Sequence, residues 1–362
     1  MAWHRGMPCS ALDLGASVTM NISRRRFVRL AGSGVAFVGG AAALGGLAGC
    51  GDSSPSGDPA DAPDKGQPYT GKLSVSHLDF SMGGPVLYSA SDKGYFAKHD
   101  LEIELINSGG GSSSLQVIQT NTGIGVAAPI AAMAAQSRGV TMFRAVGGLI
   151  NGQTTNWLGK QDQPNPFDDL RGKTIACPSP DSIATYFARR ITKDAGLDSN
   201  SDVKITYVAE AAGSATAVER GVVDVGWSAL PFSETQKNKL AVVYSNSELV
   251  PRWVDNQVIA TEQHLAEHPD ATRRLLLALK EAVEFVHSTP DEAAAIWAEH
   301  TGLPEDVAAE VLHQHGDILN LSIDREGLES VAEAAKVGGF VEKDVDLDAL
   351  IDDRYLPGGV TE

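Results

Sequence analysis

Short apolar segments alternate with longer periodic segments from residue 72 to about residue 246. The short segments either alternate apolar and polar positions or are continuously apolar, which predicts strands. The predicted strands cover residues 73–77, 101–106, 124–128, 140–146, 173–177, 203–208, 222–227 and 241–244. Helices are predicted at residues 85–96, from 112 onward, and at 129–137, 181–195, 211–220 and 231–239. Strands that alternate with helices indicate an α/β fold with parallel sheets.

The pattern becomes helical after residues 256–260. A long segment that begins near His268 has apolar residues at helical spacing. These residues are Leu275, Leu276, Leu279, Val283 and Val286. Thr289-Pro290-Asp291-Glu292 has the sequence of a capping box with proline at the first helical position, so we predict that a new helix begins there. Further helices are predicted around residues 307–315, 327–337 and 346–351.

The segment before residue 50 has the order of an export signal. Ser23-Arg24-Arg25-Arg26-Phe27 resembles a twin-arginine signal and precedes an uncharged stretch at residues 31–49. That stretch ends in Leu47-Ala48-Gly49-Cys50, which resembles the lipobox of bacterial lipoproteins, where Cys50 would be lipidated. We therefore predict a signal peptide at residues 1–49 and a flexible tether at residues 50–71. The mature protein is expected outside the cytoplasm, attached to the membrane through its lipid.

A transmembrane helix is the alternative interpretation of residues 31–49, because the stretch is about long enough to cross a bilayer. Its seven glycines and low hydrophobicity favour cleavage and lipidation instead. Residues before Met20 lack signal character, so a translation start at Met1, Met7 or Met20 stays open.

The charge of the chain is strongly acidic, at −17. Without the first 49 residues, 24 basic and 45 acidic residues remain, a net charge of −21. Such a body repels phosphate, which argues against nucleic acid as a partner. The charge suits a protein held in salt or near a cell surface, and solubility alone is the favoured explanation of it.

Cysteine usage agrees with lipidation. Cys9 lies in the predicted signal and Cys50 in the lipobox, which leaves Cys177 without a partner for a disulfide. Cys177 ends a predicted strand, so we expect a small buried residue and not a nucleophile.

Three stretches carry a resemblance to a known family. They are Lys93-Gly94-Tyr95-Phe96-Ala97-Lys98-His99-Asp100-Leu101-Glu102-Ile103, Asp169-Leu170-Arg171-Gly172-Lys173-Thr174-Ile175-Ala176, and a tail in which Thr289-Pro290-Asp291-Glu292-Ala293 and Thr301-Gly302 precede Gly327-Leu328 and residues 345–357. In order and spacing they resemble the nitrate/sulfonate/taurine and thiamine-precursor (hydroxymethylpyrimidine) group of ABC-transporter solute-binding proteins.

The resemblance implies a periplasmic binding protein type II-like fold. Two α/β lobes would be joined by two crossing strands, here near Trp157 and Val258, with a helical C-terminal extension. The first lobe would take residues 72–160, the second residues 161–255, and the return to the first lobe with the terminal helices residues 256–362.

Candidate ligand contacts follow from where strands end. Ligands of open parallel sheets bind beyond the carboxyl ends of the strands, where helix N-termini offer free N–H groups. A glycine- and serine-rich turn at residues 109–114 and a second turn at residues 179–185 occupy such places. The candidate residues are Phe80, Ser81, Met82, Gly110, Gly111, Ser112, Ser113, Ala128, Pro129, Ser179, Asp181, Ser182, Glu210 and Trp227.

Some of the candidate residues indicate which chemical class of ligand would bind. Relatives often have Gly-Ser at the second turn, where this chain has Asp181-Ser182, and an acid in the strand after the first helix, where it has Gly123-Ile124-Gly125. The negative charge of Asp181 disfavours an anionic ligand, unless its side chain caps the helix and faces away from the site. Glu210 is either a ligand acceptor or a surface charge, and Trp227 either stacks a flat ring or belongs to the core. Together they favour a pyrimidine-like or zwitterionic ligand.

The sequence gives only weak evidence for a metal site or a catalytic site. His264-Leu265-Ala266-Glu267-His268 matches an H-x-x-E-H zinc pattern, but Pro269 biases His268 away from helical geometry. We expect no metal, no cofactor and no enzymatic activity.

The predicted function is that of a monomeric solute-binding lipoprotein that delivers a small organic molecule to an ABC permease. A ligand-sensing partner of a surface receptor and an enzyme of the thiamine-precursor branch are the alternatives.

Overall fold

A computed structural model describes residues 68–180 and 182–358. The predicted signal peptide, the lipidation site Cys50, most of the tether and Asp181 lie outside the described residues. Every helix of the described ranges is too short or too polar to cross a membrane.

The described chain forms ten strands in two five-stranded sheets. The strands are β1 Tyr69–Val75, β2 Leu101–Asn107, β3 Ile124–Ala127, β4 Phe143–Ile150, β5 Thr155–Lys160, β6 Thr174–Cys177, β7 Lys204–Tyr207, β8 Val225–Ala229, β9 Leu240–Ser245 and β10 Asn256–Thr261. Their order is β2-β1-β3-β10-β4 in the first sheet and β7-β6-β8-β5-β9 in the second. This architecture confirms the predicted α/β fold class.

Both sheets are mixed rather than purely parallel. In the first sheet β1 is parallel to β2 and β3, whereas β10 is antiparallel to β3 and β4. In the second sheet β6 is parallel to β7 and β8, whereas β5 is antiparallel to β8 and β9. In each sheet one strand, β10 in the first and β5 in the second, is antiparallel to both of its neighbours. In both cases it is the strand that the chain enters directly after crossing from the other sheet.

The chain passes between the sheets twice, at residues 151–154 and 246–255. Trp157 and Val258, near which we expected the crossings, lie inside β5 and β10. The backbone N–H of Asp255 donates to the Ile150 carbonyl at 2.9 Å, so the two passages run side by side.

Fourteen α-helices surround the sheets in the described ranges. They are α1 Gly84–Asp92, α2 Tyr95–Lys98, α3 Ser112–Val117, α4 Pro129–Ser137, α5 Ile183–Asp194, α6 Ala211–Glu219, α7 Phe232–Thr235, α8 Asn246–Leu249, α9 Glu262–Glu267, α10 Pro269–Ser288, α11 Pro290–Thr301, α12 Glu305–His315, α13 Arg325–Val337 and α14 Leu347–Leu350. The last six form the expected helical C-terminal region.

Burial follows the predicted periodicity in the longest helix. All five apolar positions predicted for α10, from Leu275 to Val286, are buried. They join the core cluster that lies under the first sheet together with Trp297 of α11. Cys177 is fully buried in the second core, as expected, and burial raises its pKa to about 11. Such a thiol is a poor nucleophile at neutral pH.

Candidate functional site

Residues from both halves of the fold enclose a small cavity of about 40 Å³ beside the two passages. Its apolar lining consists of Ala128, Pro129, Ile130, Ile183, Phe187, Trp253, Val254 and Val331. Its polar lining consists of Gln153, Thr155 and Asp255. A water needs about 10–15 Å³ of such space, so the cavity accommodates one functional group rather than a whole organic molecule.

Two helices of opposite halves begin at this cavity. Pro129 is the first residue of α4, which follows β3 of the first sheet. Ile183 is the first residue of α5, which follows β6 of the second sheet. The N-terminus of a helix carries a partial positive charge, although in α5 the Ser182 side chain already accepts from the Thr185 N–H and Pro129 of α4 has no N–H group. The helix starts that meet at this cavity are those of α4 and α5, whereas the turn at residues 109–114, predicted to pair with the turn at residues 179–185, does not line it.

Asp255 is the acidic group of the cavity. Burial raises the pKa of its carboxyl to about 6, although hydrogen bonds from the Asn256 and Thr154 side chains act in the opposite direction. The Asn256 Nδ2 atom lies 2.9 Å from Oδ2 of Asp255. No lining residue of the cavity within the described ranges is basic.

Gln153 is another polar residue that lines the same cavity. Its residue is 8% exposed, and its Nε2 atom finds no hydrogen-bond partner among the described residues. A buried amide N–H group without a partner costs free energy.

Two aromatic rings form part of the wall of the cavity. The rings of Phe187 and Trp253 lie edge to face with centroids 5.3 Å apart, and both residues are buried. Such a surface suits a planar group.

A second cluster, the cleft rim, lies at the ends of β1 and β7. His77 follows β1 with a left-handed φ of 51°, and its ring packs on Phe80 with centroids 5.0 Å apart. Burial lowers the pKa of His77, while the carboxylates of Asp79 and Glu210 act to raise it. Because Asp79 belongs to the first half and Glu210 to the second, the imidazole of His77 lies near acids from both sides of the cleft.

The glycine-rich turn contacts this rim. A Cβ atom at Gly110 would lie 2.1 Å from Nε2 of His77, so the ring occupies the space that a side chain would need. Gly111 has a left-handed φ of 61°, and the exposed Ser112 begins α3. The Ser113 hydroxyl donates to the carbonyls of Ser108 and Gly110 and so stabilises the turn.

Two candidates after β1 are buried. Met82 is 1% exposed and belongs to the first core. Ser81 is 8% exposed and accepts a hydrogen bond from the Gly83 N–H at 3.1 Å. Phe80 is the exposed member of this group, at 48%.

The second predicted turn is organised as a helix cap. The Ser182 side chain accepts from the Thr185 N–H and donates to the Ser179 carbonyl, which also accepts from the Thr185 hydroxyl. Asp181, between them, lies outside the described residues. In β8, half-buried Trp227 donates from Nε1 to the Val208 carbonyl at 2.7 Å and packs against the second core.

The structure therefore separates the candidates into two groups. Ala128 and Pro129 line the cavity, whereas Phe80, Gly110 and Glu210 gather at the rim. Gln153, Trp253 and Asp255 were not among the predicted contacts. Gln153 and Asp255 are polar residues in the two passages between the sheets, a position that reasoning from strand ends does not cover.

The histidine pair of the H-x-x-E-H pattern lies elsewhere. His264 belongs to α9, and His268 has φ −134° and ψ 49°, outside helical geometry as Pro269 predicts. The described ranges contain no group of three or more His, Cys, Asp or Glu residues with the arrangement of a metal site.

Known structures share this fold. The aliphatic sulphonate-binding protein SsuA of Escherichia coli is 18% identical, with a TM-score of 0.65 over 82% of this chain and 94% of that one. The alkanesulfonate-binding protein SsuA of Xanthomonas axonopodis, bound to MOPS, is 15% identical, with a TM-score of 0.64 over 79% and 99%. The nitrate-binding protein NrtA of Synechocystis is 12% identical, with a TM-score of 0.64 over 79% and 86%.

Comparison of the sequence with family models identifies the family of the chain. None of the curated proteins compared with the chain matches significantly. Residues 85–293 match the family described as NMT1/THI5 like, which covers more than half of the chain and includes β2 to β10. The chain therefore belongs to the NMT1/THI5-like family.

Proposed function

We propose that this chain is the extracytoplasmic solute-binding protein of an ABC importer. It binds a small organic solute, sulfonate- or taurine-like or pyrimidine-like, in the cleft between its two halves. The observation that carries the proposal is the cavity in which α4 of one half, α5 of the other and both passages meet. The sulfonate- and nitrate-binding proteins that share the fold support it.

Hinge closure is the expected working motion. Within the described residues, the chain connects the two sheets only through residues 151–154 and 246–255, so small backbone rotations there would move one half against the other. The cavity is too small for a whole organic solute. A solute would enter while the halves are apart and would be enclosed when they close, and the closed form would dock on the permease.

The export features complete the proposal. A signal peptide ending at Gly49, lipidation of Cys50 and a tether to residue 71 would hold a monomeric binding protein at the outer face of the membrane. Twin-arginine export would deliver the chain in a folded state. Mass spectrometry of the membrane fraction would detect the lipid on an N-terminal Cys50.

A solute screen with a cavity-filling variant tests the function. We expect at least one solute from a panel of sulfonates, amines and pyrimidines to raise the melting temperature of the protein, because a ligand that binds only the folded state stabilises it. Ile183→Trp places a large ring in the cavity and should abolish the shift. Val222→Trp adds the same ring at a position that is 70% exposed and should retain it.

Two outcomes would contradict the proposal. One is the absence of a thermal shift with every solute of the panel. The other is an equal shift in the wild type and in Ile183→Trp, provided that circular dichroism shows the variant to be folded.

A further inference from the structure

We infer that the groove between α5 and α13 is a second binding site, which takes a small organic anion with an apolar body, such as an aromatic carboxylate. This α5–α13 groove is separate from the cavity at the two passages. The inference goes beyond the proposed function and holds whichever solute the cleft binds.

The groove has the volume of a small-molecule site. It measures about 580 Å³, whereas the cavity at the passages measures about 40 Å³. Sites for small organic ligands typically have about 300–1,000 Å³. The lining comes from the later part of α5, the turn after it and the end of α13. Lys193 of this lining is roughly 15 Å along the helix from Ile183, so the groove lies away from the cavity at the start of α5.

Part of the groove is apolar and open to a ligand. Tyr186 and Leu197 line it, and Val337 at the end of α13 is 69% exposed. The Tyr186 ring packs edge to face against Phe187, with centroids 5.2 Å apart, which fixes its orientation. A ligand that covers these side chains removes apolar surface from water, and that removal is favourable.

Two cations of the groove are free to meet an anion. Arg189 and Lys193 are four residues apart on α5, so they lie on the same face of the helix. Both are exposed, and neither makes an ion pair within the described ranges. Like charges at this spacing repel each other, and an anion between them would relieve the repulsion. Arginine binds carboxylates through two parallel N–H bonds, which favours a carboxylate as the anion.

The acids of the lining are engaged within the chain. Asp194 pairs with Arg190 at 3.7 Å, and Glu333 acts on the same guanidinium. Asp198 accepts the backbone N–H of Asn200 at 2.7 Å. An anionic ligand would therefore meet Arg189 and Lys193 as its unpaired partners, while the other acids of this acidic chain are screened beyond about 8 Å at physiological salt.

A matched set of ligands tests the inference on the full chain. Calorimetry would compare naphthoate with the neutral naphthamide and the cationic naphthylmethylamine. We expect naphthoate to bind at least about 10-fold more tightly than naphthamide, because charge-assisted hydrogen bonds are the stronger ones. The cation should bind more weakly than both.

Variants locate the binding. Arg189→Gln/Lys193→Gln should weaken naphthoate binding at least about 10-fold and remove its advantage over naphthamide. Lys204→Gln/Arg220→Gln removes the same charge at exposed positions outside the groove and should change the affinity less than about 2-fold, because distant exposed charges are screened. Val337→Ser should weaken naphthoate and naphthamide alike, by roughly 2- to 3-fold, through lost apolar contact.

The cavity-filling variant separates this site from the cleft. Ile183→Trp should bind naphthoate with the affinity of the wild type, since Ile183 lines the cavity and not the groove. Naphthoate binding that Ile183→Trp abolishes and Arg189→Gln/Lys193→Gln leaves intact would place the anion in the cleft and overturn the inference, with the proposed function unaffected. The inference also fails if naphthoate does not bind, or if naphthamide binds equally well.

Discussion

Asp255 shows how one side chain acquires its properties from its position. In the sequence it is one of many acids in a strongly acidic chain. In the fold it lies at the second passage between the sheets, where burial outweighs two hydrogen bonds and raises its pKa to about 6. A carboxyl that is ionised at neutral pH despite burial destabilises the empty protein, and a ligand donor can offset part of that cost.

The pH dependence of stability should reveal this carboxyl. Its pKa is about 6 in the folded chain and about 3.9 when unfolded, so the folded state binds the proton more tightly. Its contribution to the free energy of unfolding therefore falls as the pH rises from about 4 to about 6 and is constant above. Relative to the wild type, Asp255→Asn should gain about 1–3 kcal/mol in stability between pH 4 and pH 7.5.

Urea denaturation at the two pH values measures this difference. Comparing the variant with the wild type cancels the titration of the other acids. A difference between the two proteins that is the same at pH 4 and pH 7.5 would contradict the raised pKa of Asp255.

At the level of elements, helix boundaries followed local sequence where glycine and proline set them. Pro129, Pro269 and Pro290 each begin a helix, and Gly302 ends α11 with a left-handed φ of 72°. The predicted capping box at Thr289 was wrong, because the Thr289 hydroxyl donates to the Phe285 carbonyl at the end of α10.

A short loop between two helices explains that error. Thr289 both ends α10 and begins α11, and the Phe285 carbonyl of the earlier helix accepts from both its N–H group and its hydroxyl. A capping box does form between Ser245 and Glu248 at the start of α8, where we predicted no helix.

The cap of α13 makes a testable contribution to stability. The Asp324 carboxylate is 8% exposed and accepts from the Gly327 N–H at 2.9 Å and from Arg252 at 2.8 Å. Asp324→Ala should lower the free energy of unfolding by about 1–2 kcal/mol, mostly through the lost cap, since the pair with half-exposed Arg252 adds less. Asp324→Asn keeps a capping oxygen and should lose roughly half as much. Urea titration measures both, and equal losses in the two variants would contradict the capping role.

At the level of the whole molecule, the two sheets have equivalent topology. In the first sheet β1 lies between β2 and β3, and in the second β6 lies between β7 and β8. The strand that follows a passage comes next in each sheet, β10 beside β3 and β5 beside β8. Contacts between the halves include Leu230, which follows β8 but packs in the first core, and the ion pair of Lys237 with Glu310 of α12.

The Lys237–Glu310 pair should favour the closed arrangement. Glu310→Lys replaces the attraction between the halves by repulsion, so the open population should rise. The expected result is a larger radius of gyration in X-ray scattering and a loss of solute affinity of up to about 5-fold, because partly exposed pairs contribute at most about 1 kcal/mol. The exposed Glu342→Lys makes the same change in charge elsewhere and should leave both quantities unchanged. An identical scattering profile for Glu310→Lys and the wild type would contradict this role.

The sequence by itself determined the local elements and the class of fold. Apolar periodicity located most strands and the long α10, because burial of one face needs only the side chains of that segment. It also indicated the family, which residues 85–293 confirm. It placed Ala128 and Pro129 at a strand end, where they line the cavity.

Only the tertiary structure decided which strands change sheets and which polar side chains meet. The partners of β5 and β10 are distant in sequence, and their antiparallel insertion depends on where the chain returns from the other half. Gln153 and Asp255 are about a hundred residues apart and lie in segments without periodicity. Their meeting in one cavity follows from two passages running side by side, which no local pattern of the sequence encodes.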